Sequence, residues 1–101
     1  MRLTQQQISA IREASSEVFG AGTRIWLFGS RVNDQARGGD IDLLLKPPSA
    51  GADSGGNVMK KIQFLGLLEK ALGERKIDVV IETPNDSRPI VRIAQETGVE
   101  L

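Results

Sequence analysis

Apolar residues recur at helical spacing in three stretches of the chain, which predicts three amphipathic helices. The first covers residues 4–20, where Thr4 and Gln7 have the spacing of a capping box and glycines follow the end. The second covers residues 57–72, with an asparagine as its cap and a glycine as its stop. The third runs from about Ser87 to Thr97, with a proline in its first turn. The predicted buried face of the second helix contains Val58, Ile62, Leu65, Leu68 and Leu72.

Three shorter apolar runs, rich in β-branched, aromatic and leucine residues, predict strands. They are Arg24–Phe28, Asp40–Lys46 and Lys76–Ile81. Residues 47–56 are rich in Pro, Gly and Ser, and they predict a flexible loop. The short connection between the first two strands favours antiparallel pairing, and a right-handed crossover would lay the third strand parallel to the second. We therefore expect an α/β (α+β) fold, with a small mixed sheet of about three strands and helices packed on it.

Three aspartates interrupt two of these apolar strands, and this is the strongest chemical signal in the sequence. Asp40 and Asp42 are two residues apart, so they share one face of the second predicted strand. Two adjacent carboxylates repel each other unless a cation lies between them, and oxygen-rich sites of this kind suit Mg²⁺. Asp78 occupies the neighbouring strand, where the crossover could bring it beside the pair. The aspartates therefore predict a metal site.

A small polar turn precedes the first carboxylate pair. Gly29 and Ser30 directly follow the first strand, where a glycine lets the backbone approach a phosphate and a hydroxyl adds a hydrogen bond. Taken singly, each aspartate has an ordinary interpretation: a turn cap, a partner for an arginine, or a residue on an exposed edge. Together with the turn they indicate phosphoryl or nucleotidyl chemistry, because aspartate is depleted in strands.

Composition excludes several other classes of function. At 101 residues we expect one domain, covering residues 1–101. The 13 basic residues balance the 13 acidic ones, which argues against a dedicated nucleic-acid-binding protein. The absence of Cys and His excludes zinc fingers and His-based catalysis within this chain. The sequence has neither an apolar run of about 18 residues nor a signal-peptide pattern, so we expect a cytoplasmic protein without membrane contact.

The combination of motifs resembles a known superfamily. The stretch L-F-G-S-R-(x)₈-D-I-D-L-L-L at residues 27–45 looks like the nucleotidyltransferases whose palm-like fold includes DNA polymerase β. Its small prokaryotic branch, the minimal nucleotidyltransferases, is the nearest in pattern, and the closing R-P-I-V-R-I-A-Q-E-T-G-V-E-L is similar to the end of those chains. Two features depart from the pattern. The loop between Ser30 and Asp40 is one residue shorter than in many relatives, and Gly39 stands where a serine often precedes the first aspartate.

The resemblance implies a role for each motif residue. Asp40 and Asp42 would hold two Mg²⁺ ions with the triphosphate of ATP, and Asp78 would ligate the second ion and assist deprotonation of the acceptor. The backbone at Gly29 and the Ser30 hydroxyl would hold the β- and γ-phosphates. Arg31 would pair with their charge or else point into solvent.

The resemblance also implies a partner. Minimal nucleotidyltransferases are similar to the antitoxin half of two-gene modules whose other half is an all-helical HEPN-type ribonuclease. There the enzyme silences the toxin by transferring AMP to a tyrosine, and the two proteins form a hetero-oligomer. Two alternatives remain: an inert relative that neutralises a helical partner by binding alone, and transfer to a small molecule such as an antibiotic. The second is disfavoured because 101 residues leave no room for a substrate domain.

Overall fold

The computed structural model describes residues 3–29, 41–48, 54–73, 76–83 and 85–101. For residues 54–57 it describes the backbone alone. The described residues form alternating helices and strands: α1 (Gln5–Phe19), β1 (Arg24–Phe28), β2 (Ile41–Lys46), α2 (Ser54–Leu72), β3 (Ile77–Ile81), α3 (Pro89–Thr97) and β4 (Val99–Glu100). Within these ranges, each helix is too short or too polar to cross a bilayer. The assignment of residues 1–101 to a single domain stays a prediction.

The strands form one mixed sheet in the order β3-β2-β1-β4. As predicted, β1 pairs antiparallel with β2, and β3 lies parallel to β2. The α/β fold class is thus confirmed. The sequence did not predict β4, which pairs antiparallel with the outer side of β1. The Arg24 guanidinium holds β4 by donating two 2.9 Å hydrogen bonds to the Glu100 carboxylate, and it lies 4.8 Å from the centre of the Trp26 ring.

The predicted start of α1 is confirmed by its capping chemistry. In α1 the Gln7 N–H donates to Thr4 Oγ1 (3.1 Å), and the Thr4 N–H donates to Gln7 Oε1 (2.9 Å), which is the predicted capping box. The third helix, α3, begins at Pro89 rather than near Ser87, and the proline occupies its first turn as predicted. The predicted start of α2 was wrong, because the helix begins at Ser54 and Asn57 lies inside it. The last three residues of the predicted loop 47–56 therefore belong to the helix.

The sheet separates two apolar clusters, and their membership defines its two faces. On the α1/α2 face, odd-numbered strand residues pack against the first two helices. This cluster includes Ile11, Phe19, Leu27, Leu43, Phe64, Leu68 and Val79. On the α3 face, even-numbered residues pack against the last helix. That cluster contains Trp26, Phe28, Leu44, Val91 and Ala94, with Val80 against it.

The buried side of α2 differs from the predicted one. Leu68 and Leu72 are buried and Leu65 packs against the core, as predicted. Val58 and Ile62 are instead 58% and 59% exposed, and Phe64 is fully buried. The helix is therefore rotated so that an aromatic residue faces the core. Three apolar side chains of its first half remain exposed: Val58, Met59 and Ile62.

Two glycines, one inside α2 and one directly after it, allow a test of backbone energetics. Gly66 lies on the exposed side of the helix, and a Cβ added there would meet no atom of the described residues within 4 Å. Gly66→Ala should therefore raise the free energy of unfolding by about 0.5–1 kcal/mol, because alanine loses less backbone entropy on entering a helix. Gly73 is the matched control, with equal space but a φ of 83°. There alanine should destabilise by about 1–2 kcal/mol. Urea denaturation of both variants checks the opposite signs.

A buried carboxylate organises the connection between β3 and α3. The Asp86 side chain is 3% exposed, and Arg88 Nη2 donates to its Oδ2 at 2.6 Å. The backbone N–H groups of Thr83 and Arg88 also donate to this carboxylate, each at 3.1 Å. The hydrogen bond from Arg88, with those from the two backbone groups, holds the pKa of Asp86 well below its ordinary value.

This depressed pKa makes part of the stability pH-dependent. An Asp whose folded pKa lies below its unfolded pKa stabilises the fold above the unfolded value, near 4, and loses that contribution as the pH falls through the folded value. We expect Asp86→Asn to cost about 2 kcal/mol at pH 7, because it removes hydrogen bonds to a charged acceptor. The difference in free energy of unfolding between Asp86→Asn and the unmodified protein should become smaller as the pH is lowered from about 4 to 2. Urea titrations of both proteins measure it. An Asp86→Asn penalty that stayed constant to pH 2 would contradict this account.

Candidate active site

Asp42 and Asp78 lie side by side on neighbouring parallel strands. They are register partners in the β2–β3 ladder, so their Cα atoms are separated by one strand spacing, roughly 4.8 Å. Both have even-numbered positions and belong to the α3 face, on the opposite side of the sheet from the α1/α2 core. Asp42 is partly buried and Asp78 is exposed. The predicted approach of the third carboxylate to the second is therefore present in the fold.

The pair's location gives it access to solvent on one side. Each aspartate is the second residue of its strand, so both lie at the same end of the parallel pair. Further along these strands, Leu44 and Val80 cover the α3 face with apolar side chains. Two carboxylates on adjacent strands with oxygen ligands exposed at one end suit a hard divalent cation such as Mg²⁺. A metal bound there would also relieve the repulsion between them.

Gly29 brings the backbone against this site. It follows β1 directly and has a φ of 76°, a conformation that glycine adopts without a Cβ penalty. An added Cβ would clash with Asp42 Oδ2 and lie 3.1 Å from Asp42 Cγ. The main chain at Gly29 thus lies so close to the Asp42 carboxylate that a side chain on residue 29 would overlap with it.

Gly29→Ala tests this close approach. The substitution should cost about 1–2 kcal/mol in the left-handed conformation, and it must also displace the Asp42 carboxylate. We expect Gly29→Ala to bind Mg²⁺ and ATP more weakly than the unmodified protein does, and by more than its loss of stability accounts for. Calorimetric titration with the metal–nucleotide complex measures this effect. Gly22→Ala is the control, because Gly22 also has a positive φ (92°), but among the described residues its added Cβ meets Pro48 alone, at 3.7 Å. Equal binding losses in the two variants would contradict a role for the Gly29 contact.

Three of the predicted site residues lie outside the described part of the chain. They are Ser30, Arg31 and Asp40, which fall within residues 30–40. Among the described residues no group of three or more Asp, Glu, His or Cys side chains is placed to hold a metal. Gly29, Asp42 and Asp78 are the described part of the predicted set, and the roles of all the predicted residues stay predictions.

Phe28 is a neighbour of the site that the sequence reasoning missed. It is the register partner of Asp42 on the β1 side, and both belong to the α3 face. Phe28, Asp42 and Asp78 therefore form one row across three strands. The signal was available, because the alternation of β1 places Phe28 on the same face as Trp26. Gly98 lies next to Phe28. A Cβ added at Gly98 would be 3.2 Å from Phe28 Cβ and 2.7 Å from the Leu27 carbonyl oxygen.

Comparison with known families agrees with this geometry. A family profile described as the nucleotidyltransferase domain matches residues 8–101, which include all the described strands and both carboxylates. No curated protein matches the chain significantly.

Proposed function

Given that the chain belongs to the nucleotidyltransferase domain family, we propose that it transfers AMP from ATP to a hydroxyl on a partner protein, with Mg²⁺ as cofactor. The observation that carries the proposal is the in-register pair of Asp42 and Asp78 beside the backbone of Gly29. Carboxylates at this spacing are suited to hold metal ions against a triphosphate.

Each site residue has a proposed role in the transfer. Asp42, with Asp40, would hold two Mg²⁺ ions, and Asp78 would share the second. When bound, Mg²⁺ would supply positive charge that offsets the charge of the triphosphate and the pyrophosphate. The backbone at Gly29 and the Ser30 hydroxyl would hold the β- and γ-phosphates, and Arg31 would pair with their charge.

The proposed reaction is a single in-line displacement. The acceptor hydroxyl oxygen attacks the α-phosphorus, and the bond from that phosphorus to the oxygen bridging it to the β-phosphate breaks. Pyrophosphate leaves with the electron pair of that bond. The hydroxyl proton passes to Asp78, whose exposed position lets an acceptor approach it from solvent. The product is an AMP ester of the acceptor.

We further propose that the partner is a helical HEPN-type ribonuclease and that the chain acts as its antitoxin. The support is the resemblance of the Gly29–Asp42 stretch to minimal nucleotidyltransferases. In such a pair the acceptor would be a tyrosine hydroxyl of the ribonuclease. Attachment of AMP would add a charged group to the toxin, and the complex of the two proteins would be a hetero-oligomer.

Co-expression tests class and acceptor together. The chain is produced with a candidate helical ribonuclease, and intact-mass spectrometry is applied to the ribonuclease. We expect a gain of one or more AMP units that requires ATP and Mg²⁺, with the modified residue located by peptide mapping. A partner that is neutralised without any gain in mass would instead show inhibition by binding alone.

A further inference from the structure

The strand that carries Asp78 lies at one end of the sheet order, and no described strand pairs with its outer edge. Two hydrogen bonds show which backbone groups face outward. The Ile41 N–H donates to the Lys76 carbonyl (2.9 Å), and the Glu82 N–H donates to the Leu45 carbonyl (2.8 Å). Even-numbered residues of β3 thus direct their backbone groups toward β2, and alternation directs the others outward. The outward-facing residues are Ile77, Val79 and Ile81.

At one end of this outer edge, a backbone carbonyl already accepts a hydrogen bond from a side chain. Arg88 Nη2 donates to the Ile81 carbonyl oxygen at 2.8 Å, and the same guanidinium is held by Asp86. A strand arriving from outside would therefore have to share that carbonyl with the Arg88 guanidinium or displace it. The positions left for pairing are those on either side of Asp78, namely Ile77 and Val79.

A groove runs along this edge between β3 and α2. Its volume is about 370 Å³, and its lining comprises Val58, Lys61, Val79, Val80, Ile81, Thr83 and Arg88. Val58 contributes an exposed apolar side chain, and it continues into the exposed Met59 and Ile62 on the same helix. Lys61 forms no ion pair with the described residues. The groove thus combines apolar surface, an available positive charge and an open strand edge.

We propose that this groove binds an extended acceptor segment of the partner protein, which adds to the outer edge of β3 and presents its hydroxyl residue beside Asp78. The inference rests on the proposed function and deepens it by assigning how the acceptor is held. Strand addition of this kind uses main-chain hydrogen bonds for affinity and alternate side chains for specificity.

Strand geometry relates the acceptor to the carboxylates. An added strand lies roughly 4.8 Å from β3, and the residue beside Asp78 directs its side chain to the same face as Asp78 and Asp42. The residues before and after it point to the opposite face, where Val58 and Lys61 line the groove. The expected segment therefore has a hydroxyl residue with an apolar residue next to it and a carboxylate within reach of Lys61.

Charge favours such a segment over a second copy of this chain. Antiparallel pairing of two β3 edges about a two-fold axis would place both α2 helices on one face of the joined sheet. The two Lys61 side chains would then lie on the same face of the joined sheet, and like charges repel. An acidic segment instead gains from Lys61.

Peptides test the proposal directly. The probe is a synthetic peptide of about nine residues, a usual strand length, with a central tyrosine, a valine on each side of it and aspartates toward both ends. Its matched control has prolines in place of the valines, so that in an antiparallel pairing the two residues opposite Ile77 and Val79 lack the N–H groups that would donate to the edge. With ATP and Mg²⁺, we expect AMP transfer to the valine peptide and a kcat/KM at least about tenfold lower for the proline peptide.

Charge exchange adds a readout that a folding defect cannot imitate. Lys61→Glu should raise the KM for the aspartate peptide and lower it for a peptide with lysines in place of the aspartates. Val58→Ser should raise the KM for both peptides while leaving the KM for ATP unchanged. The matched control is Ile93→Ser on α3, since Ile93 is 50% exposed and lies outside the groove. It should change neither constant.

The outcomes separate this inference from the proposed function. Transfer to a co-expressed partner, but to none of the peptides, would overturn the extended-segment proposal and leave the proposed function intact. Unchanged peptide KM values in Lys61→Glu and Val58→Ser would do the same. Absence of AMP transfer to any acceptor, in co-expression as well as with peptides, would instead count against the proposed function and this inference together.

Discussion

Asp42→Asn should strongly reduce nucleotidyl transfer: we expect kcat/KM to fall at least about 100-fold, because the change removes one of the charges proposed to hold Mg²⁺ and the triphosphate. Asp42 is the central member of the row formed with Phe28 and Asp78, and its carboxylate lies against Gly29. Asparagine keeps the size of the side chain but not the charge. Transfer is measured as the AMP mass gain of a co-expressed partner or as pyrophosphate release.

Two further variants decide whether this loss is catalytic. Asp78→Asn should cause a loss of similar size, and the double variant should lose little more than either single one, because residues that act as a unit are not additive. Glu69→Gln is the control, an exposed carboxylate on α2. It should retain full activity. Thermal unfolding of every variant must show an intact fold. Full transfer by folded Asp42→Asn would rule out the proposed role of this carboxylate.

The predictable part of the fold is the part that local patterns determine. The capping box at Thr4 works through residues three apart, and β1 is recognisable from five contiguous residues. The sheet pairing also followed from the sequence, because a short connection and a right-handed crossover leave few alternatives. The same two connections place Asp78 beside Asp42.

Features that depend on distant contacts were not predictable in this way. The two-residue strand β4 has almost no periodicity of its own, and it is held by the pairing of Glu100 with Arg24, 76 positions earlier. The positive φ of Gly29 and its contact with Asp42 likewise depend on how β1 and β2 pair. The outer edge of β3 became recognisable only once the strand order was known.

The buried face of α2 shows a different limit. Apolar residues occur on more than one side of this helix, so spacing alone could not choose between the set with Val58 and Ile62 and the set with Phe64. The structure buries the set that brings Phe64 against Phe19, with the ring centres 5.8 Å apart and the planes at 69°. An edge-to-face aromatic pair of this kind adds to the free energy of burial. The apolar residues left outside line or border the groove beside β3.

Phe64→Ala should be the most destabilising single substitution proposed for this chain. Phe64 is fully buried in the α1/α2 cluster, so its removal loses the transfer free energy of the ring and leaves a cavity beside Phe19. The expected loss is about 3–5 kcal/mol, a large fraction of the 5–15 kcal/mol typical of a small domain.

Ile62→Ala, two residues away on the same helix, is the matched control. Ile62 is 59% exposed, and its truncation should change the free energy of unfolding by less than about 0.5 kcal/mol. Urea denaturation of the two variants therefore distinguishes the two possible orientations of α2. A larger loss for Ile62→Ala than for Phe64→Ala would mean that the helix buries the face with Val58 and Ile62, and that the groove beside β3 lacks the apolar wall on which the acceptor segment is proposed to bind.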